Sequence, residues 1–118
     1  MSQYAIMVDT ERCIGCKSCE SSCKLENGIT EGRYRTRVIW IDPHEGRKLN
    51  FMSMPCMHCG NPACKQACPT GAIYKRPEDG VVLIDKARCI GCRYCAWACP
   101  YGAMGFDEDK MVADKCTY

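Results

Sequence analysis

The stretch CIGCRYCAWACP, residues 89–100, spaces four cysteines as Cys-x2-Cys-x2-Cys-x3-Cys and ends on proline. Two related runs precede it, CIGCKSCESSC at residues 13–23 and CMHCGNPACKQACP at residues 56–69. A chain with this spacing can curl around one corner of a compact metal cluster and place three thiolates against it. The fourth thiolate lies about one helical turn beyond the third. Residues four apart share a helix face but are displaced along its axis. The fourth cysteine is therefore expected to reach a neighbouring cluster instead of its own.

The segments that follow the second and third runs form an internal repeat. CPTGAIYKRPEDGVVLIDKARC at residues 68–89 aligns with CPYGAMGFDEDKMVADKC at residues 99–116. Each contains Cys-Pro-x-Gly-Ala, a short apolar strand, an acidic turn and a second apolar strand, which predicts a β-hairpin in each copy. Residues 62–68, 93–99 and 17–24 are predicted as short helices, the first two stopped by a proline, and residues 5–8 as a strand. The predicted class is α+β, with ferredoxin-like modules of short helices and β-hairpins around [4Fe–4S] clusters.

Composition favours bound metal as the main source of stability. The chain of 118 residues contains 13 cysteines and only 8% aromatic residues, so apolar burial alone leaves it marginally stable. The odd cysteine count and the tight runs argue against a disulfide scaffold, since every bridge needs its own partner at close range. No secretory pattern and no stretch of about 18 apolar residues is present. Direct membrane insertion is therefore not expected, and the net charge of only +2 is too small to indicate nucleic-acid binding or a membrane surface.

The spacing assigns eight cysteines to two complete [4Fe–4S] cubanes. Exchange of the fourth cysteines between the second and third runs gives two sets: Cys56, Cys59, Cys64 and Cys99 for one cubane, and Cys89, Cys92, Cys95 and Cys68 for the other. The other cysteines form incomplete sets: Cys13, Cys16 and Cys19 for a third cubane, and Cys23 and Cys116 for a fourth. Zinc is the rival metal, because it also takes four thiolates. A zinc site, however, draws two cysteines from each of two knuckles and leaves the others without a role.

Residues near the runs are expected to support the cofactors without binding them. Gly91 lets the backbone approach the cluster sulfides and donate N–H bonds to them. His58 can ligate a metal in principle, but with four thiolates available a role beside the ligands is favoured. Three aromatic residues are expected to shield the clusters from water: Tyr94, Trp97 and Tyr101.

Residues 25–55, between the first and second runs, are predicted as an inserted hairpin. Arg33, Arg35 and Arg37 alternate with other residues in its first half. They can face an acidic partner or form the solvated face of an edge strand, and charge patterning favours the solvated face. The remaining predicted divisions are residues 1–24 as half of an outer module, residues 56–115 as the central two-cluster module, and residues 116–118 as the start of an absent fourth run.

Three motifs, VDTERCIGCKSCESSCK, PCMHCGNPACKQACPTGAIYKRPEDGVVLID and CIGCRYCAWACPYGA, resemble the four-cluster iron–sulfur (B) subunits of the dimethyl sulfoxide reductase family, including polysulfide and thiosulfate reductases. The resemblance extends over essentially the whole chain. It implies an electron-transfer subunit without substrate chemistry of its own, working between a membrane quinol-reactive anchor subunit and a molybdopterin catalytic subunit. It also implies up to four [4Fe–4S] clusters in a full-length member.

The resemblance carries two further expectations. In the family the first run pairs with a fourth, and only the first cysteine of that run, Cys116, is present. The chain is therefore expected to be a fragment or a truncation. The implied location is cytoplasmic or membrane-associated through partners, with export bound to a partner also open. The alternatives are a free-standing polyferredoxin and a zinc-stabilised interaction module.

Overall fold

The computed structural model describes residues 3–46 and 48–118. Short helices alternate with pairs of antiparallel strands in the order α1 (Ser18–Asn27), β1 (Val38–Ile41), β2 (Asn50–Ser53), α2 (Ala63–Ala67), β3 (Ile73–Lys75), β4 (Val82–Ile84), α3 (Tyr94–Ala98), β5 (Gly105–Asp107) and β6 (Val112–Asp114). Within the described residues, β1 pairs with β2, β3 with β4 and β5 with β6, each as a separate two-stranded sheet.

Proline ends the two shortest helices. Cys68 and Cys99, which follow α2 and α3, have extended backbones with ψ of 114° and 115°. Each precedes a proline, whose ring disfavours helical geometry in the residue before it. The predicted short helices at these places are confirmed. Helix α1 instead continues beyond the predicted residue 24 to Asn27, because no proline follows the first run. Gly28, in the left-handed conformation, then caps the helix.

The two hairpins of the internal repeat are also confirmed. Ile73 pairs with Ile84 in the first hairpin and Gly105 with Asp114 in the second. Between the hairpins and helices α2 and α3 lies a small core built from four buried side chains: Ile73, Val82, Cys95 and Ala113. A core of this size stabilises little by burial alone, so the prediction of a fold that depends on metal is consistent with it.

The inserted segment forms the predicted hairpin, with Val38 opposite Ser53 and Ile41 opposite Asn50. The preference for a solvated edge strand at its arginines is wrong. Arg33 forms an ion pair with Asp107 at 3.0 Å, and Arg35 binds Asp114 at 2.9 Å through two of its nitrogens. The acidic partner is therefore the β5–β6 hairpin of the same chain, and these pairs join the insert to the central segment.

Two smaller sequence expectations differ from the structure. Residues 5–8, predicted as a strand, form no regular element and pair with no strand in the described part of the chain. Nearby, the backbone N–H of Tyr4 donates to the Asp79 carbonyl at 3.1 Å, which fixes the N-terminal segment against the turn between β3 and β4. The predicted boundary between residues 24 and 25 falls inside α1.

Candidate metal centre

The second and third runs meet at a cavity that we call site I. It encloses about 250 Å³, and its lining includes four cysteines: Cys56, Cys59, Cys64 and Cys99. The first two lie in the loop before α2, the third lies in α2, and Cys99 follows α3. Helices α2 and α3 pack against each other, which brings the last cysteine of one run to the first three of the other. These are the four residues that the spacing predicted for one cubane.

A second cavity, site II, has the complementary set. Its lining includes Cys68, Cys89, Cys92 and Cys95. It encloses only about 20 Å³, space for about one water molecule. The structure brings these four thiols together as the spacing predicted, and their role as ligands stays a prediction.

The five remaining cysteines are only partly brought together. Cys19, Cys23 and Cys116 line a third cavity of about 440 Å³, which we call site III. Cys13 and Cys16 are not among its lining residues. The predicted pair of Cys23 and Cys116 thus shares one cavity, whereas the predicted trio of Cys13, Cys16 and Cys19 does not.

Backbone N–H groups donate to cysteine sulfurs around sites I and II, as expected where thiolates hold a cluster. The donors and acceptors are His58 to Cys56 at 3.4 Å, Ala72 to Cys68 at 3.3 Å, Ala103 to Cys99 at 3.5 Å and Ala113 to Cys89 at 3.4 Å. Two of these bonds span the same Cys-Pro-x-Gly-Ala motif. That motif therefore reverses the backbone so that its alanine N–H faces the sulfur of its own cysteine.

The arrangement of the thiols around the two cavities suits a cluster better than a single ion. Within residues 3–46 and 48–118, no three His, Cys, Asp or Glu side chains converge to hold one metal ion. Thiolates around a single zinc lie about 3.8 Å apart, because each Zn–S bond is about 2.3 Å. Sets of four cysteines arranged around a cavity fit a polynuclear cluster better than one zinc ion, so the donor set suits [4Fe–4S] clusters.

Burial makes two of these thiols harder to deprotonate. Desolvation raises the pKa of the Cys95 thiol to about 11 and also raises the pKa of Cys64. The thiolate is the form that binds metal. Metal binding by these thiols would therefore release protons, so its affinity would depend on pH.

Two buried polar residues line site I beside its thiols. His58 is fully buried, and its Nδ1 accepts a 2.9 Å hydrogen bond from the Val82 N–H. The imidazole proton therefore sits on Nε2, which has no partner among the described residues. Burial, followed by the positive charge of Lys115, lowers the pKa of His58 to about 4, so the ring is neutral at physiological pH. The sequence prediction of a role beside the ligands is consistent with this position.

Sequence reasoning missed Lys115. Its side chain is 2% exposed, lines site I and donates from Nζ to the Cys116 carbonyl at 2.7 Å. The repeat aligns Asp-Lys at residues 85–86 with Asp-Lys at residues 114–115, but the Lys86 side chain is 40% exposed and pairs with Asp114. The local sequence does not distinguish the two lysines. Lys115 is buried because it lies between sites I and III, which form only when distant parts of the chain come together.

The aromatic residues only partly match their predicted shielding role. Tyr101 lines site I. Tyr94 and Trp97 instead stack on each other at the surface with ring centroids 5.6 Å apart, and Trp97 is 77% exposed. Shielding is therefore the wrong role for Trp97, since a side chain in solvent excludes little water from a cluster.

The fold and the cysteine cavities point to an iron–sulfur protein, and comparison with known families agrees. The protein belongs to the 4Fe-4S dicluster domain family, since residues 47–118 and residues 12–72 each match a family of that description. [4Fe–4S] clusters are therefore its cofactors.

Its relatives are the reductase subunits that the sequence motifs resembled. The chain is 42% identical to the B subunit of tetrathionate reductase from Salmonella typhimurium, over 98% of the chain and 48% of the relative. It is 41% identical to the thiosulfate reductase electron transfer subunit PhsB of Salmonella typhi, over 99% and 62%. It is also 41% identical to the B component of the anaerobic dimethyl sulfoxide reductase of Escherichia coli, over 98% and 60%. The predicted resemblance is confirmed, and the chain spans about half to three-fifths of the length of these relatives.

No helix in the described part of the chain is both long and apolar enough to span a membrane.

Proposed function

We propose that the chain is the electron-transfer subunit of an oxidoreductase complex and carries electrons through [4Fe–4S] clusters, with no substrate chemistry of its own. The observation that supports this most is the exchange of fourth cysteines. Cys99 of the third run lines site I, and Cys68 of the second run lines site II. Two clusters held by the same pair of runs sit in one unit, which suits electron transfer from one to the other.

The proposed partners follow from the kinds of protein that the chain is similar to. Its relatives are named as components of tetrathionate, thiosulfate and dimethyl sulfoxide reductases. We assign it a place between a membrane quinol-reactive subunit and a molybdopterin catalytic subunit. In this proposal it lies in the cytoplasm or is held at the membrane by those partners.

The roles of the chain's own residues are to hold the cofactors and to set their potentials. A bound [4Fe–4S] cluster supplies one-electron redox chemistry. Four thiolates bind at each central site, and backbone donors such as Ala72 N–H and Ala103 N–H stabilise the sulfur charge, which raises the potential. Packing of α2 against α3 fixes one site relative to the other.

The outer cysteines extend the same proposal to a total of up to four clusters. Cys13, Cys16 and Cys19 are proposed as ligands of a third cluster, and Cys23 and Cys116 as ligands of a fourth. Neither set contains four thiolates in these 118 residues. The domain division into residues 1–24, 25–55, 56–115 and 116–118 belongs to this proposal.

The central assignment is tested by combining cysteine substitutions in the reconstituted chain. Cys99→Ala is expected to remove the site I cluster, about four irons and four labile sulfides per chain. In a Cys56→Ala background it should remove nothing further, because both thiols serve site I. In a Cys89→Ala background it should remove a second cluster. Loss of a second cluster in the Cys56→Ala background, with no further loss in the Cys89→Ala background, would contradict the assignment. It would mean that Cys99 binds the same cluster as the other cysteines of the third run.

The same preparations separate the alternatives. A colourless protein with stoichiometric zinc and no labile sulfide would replace electron transfer by a zinc-stabilised interaction module. A free-standing carrier would exchange electrons with small soluble donors while showing no affinity for a catalytic or membrane subunit. The proposed subunit should co-purify with such partners from membranes of the source cells.

A further inference from the structure

We propose that Lys115 is the buried cation that sets the reduction potential of the cluster at site I, and this rests on the proposed assignment of that site. The residue precedes Cys116, lines site I and is 2% exposed. Its Nζ donates to the Cys116 carbonyl, and Cys116 itself lines site III. The ammonium group therefore lies between two cysteine cavities.

The surroundings of this ammonium group contain no matching carboxylate. Among the described residues, Lys115 forms no ion pair with Asp or Glu, whereas Lys86 nearby pairs with Asp114. Lys115 instead lines site I together with the thiols of Cys56 and Cys64. A buried cation without a counter-charge is costly. The anion that completes the pair is then the thiolate-bound cluster, which carries about −2 when oxidised.

The neighbouring imidazole does not compete for this role. His58 lines the same cavity, but its Nδ1 accepts the Val82 N–H and so carries no proton. Apart from the four thiols, Lys115 is then the one ionised side chain among the described residues that line site I.

The effect on electron transfer follows from charge. Entry of one electron at site I makes the cluster and its thiolates one unit more negative, with no bond made or broken. A nearby cation favours the more negative form and raises the potential. An opposite charge within about 4–6 Å shifts a charge-changing equilibrium by about one to three powers of ten. Lys115 therefore makes site I a better electron acceptor than its thiolates alone would.

The test is a redox titration of the reconstituted chain with dithionite as reductant, followed by EPR. The signal of site I is identified as the one that Cys99→Ala abolishes. In Lys115→Met, the ratio of reduced to oxidised cluster at a fixed potential should fall at least about tenfold, which corresponds to about 59 mV for one electron. Lys115→Arg, which keeps the charge, should stay within about threefold, and the site II signal should not shift.

Lys65→Met is the matched control. Lys65 follows Cys64 directly but is exposed, so water and salt screen its charge, and its removal should change the ratio less than about twofold. An equal shift in Lys65→Met and Lys115→Met, or no shift in either, would overturn the proposal. Iron and labile sulfide are measured in every variant. Loss of the cluster in Lys115→Met but not in Lys115→Arg supports a need for charge, and loss in both overturns it.

The same measurements separate this inference from the proposed function. If the unaltered chain holds no cluster at site I, the ligand assignment itself is wrong. If the cluster is present and its potential is the same in Lys115→Met as in the unaltered chain, only the role proposed for Lys115 is wrong.

Discussion

Gly91 offers a test of how closely the cysteine loop of site II approaches the β5–β6 hairpin. Its φ is +73°, and a Cβ added there would lie 2.5 Å from the Met111 carbonyl oxygen. Gly91→Ala therefore combines two costs: left-handed strain of about 1–2 kcal/mol, and an overlap with backbone that forces the loop and hairpin apart. Overpacking of this kind costs about 1–3 kcal/mol.

Gly71→Ala isolates the second cost. Gly71 has a similar φ of +67°, but an added Cβ would meet no heavy atom within 4 Å. The left-handed strain is common to both variants, so their difference is the overlap alone, about 1–3 kcal/mol. Local opening of β5–β6 should therefore be about 5- to 150-fold more frequent in Gly91→Ala than in Gly71→Ala.

Hydrogen exchange followed by mass spectrometry measures this opening in the reconstituted protein. The informative amides lie in β5 and β6, including Ala113 N–H, which bonds to the Cys89 sulfur at 3.4 Å. Exchange there should accelerate in Gly91→Ala and match the unaltered chain more closely in Gly71→Ala, with iron content checked in both. Equal exchange in the two variants would refute the close approach of Gly91 to Met111.

Three further changes probe the insert, the surface aromatic pair and the role of metal. Arg35→Met should destabilise the fold by about 2 kcal/mol, as measured by urea unfolding. This is less than the roughly 3–5 kcal/mol for a buried charge left without any partner, because Asp114 keeps Lys86. The exposed ion pair between Arg12 and Asp9 supplies the control, and Arg12→Met should change stability by less than about 0.5 kcal/mol. Trp97→Ser should keep the full iron content, and a loss of iron would restore a shielding role. Stripping the clusters with oxidant and chelator should abolish the cooperative thermal transition in circular dichroism, because so few apolar side chains are buried. A retained sharp transition would contradict that dependence.

The parts of the fold with local signals were predictable. Cys-Pro at residues 68–69 and 99–100 predicted where α2 and α3 end, because proline acts on the residue directly before it. The repeat predicted both central hairpins from their acidic turns. Helix α1 lacks such a stop signal, and its end at Asn27 was underestimated for that reason.

Features that depend on distant residues were not predictable. The alternating arginines were interpreted as a solvated face because their partners, Asp107 and Asp114, lie far along the chain in another hairpin. Lys115 and Lys86 occupy aligned positions in the repeat, yet only Lys115 is buried. The grouping of the eight central cysteines into two cavities was predictable, because the displacement of the fourth cysteine is itself local helix geometry.

In the proposed ligand assignment, the exchange of cysteines between sites I and II also constrains when the cofactors can be inserted during synthesis. Site I draws Cys99 from the third run, so its set of thiols is incomplete while the ribosome is still translating the residues before it. Cys68 of site II is synthesised early, but the set is complete only after Cys89, Cys92 and Cys95 have been added. In that assignment neither site has its four thiols until the third run is made, and the two sets are completed within a few residues of each other, at Cys95 and Cys99. The growing chain therefore passes almost directly from having neither complete site to having both.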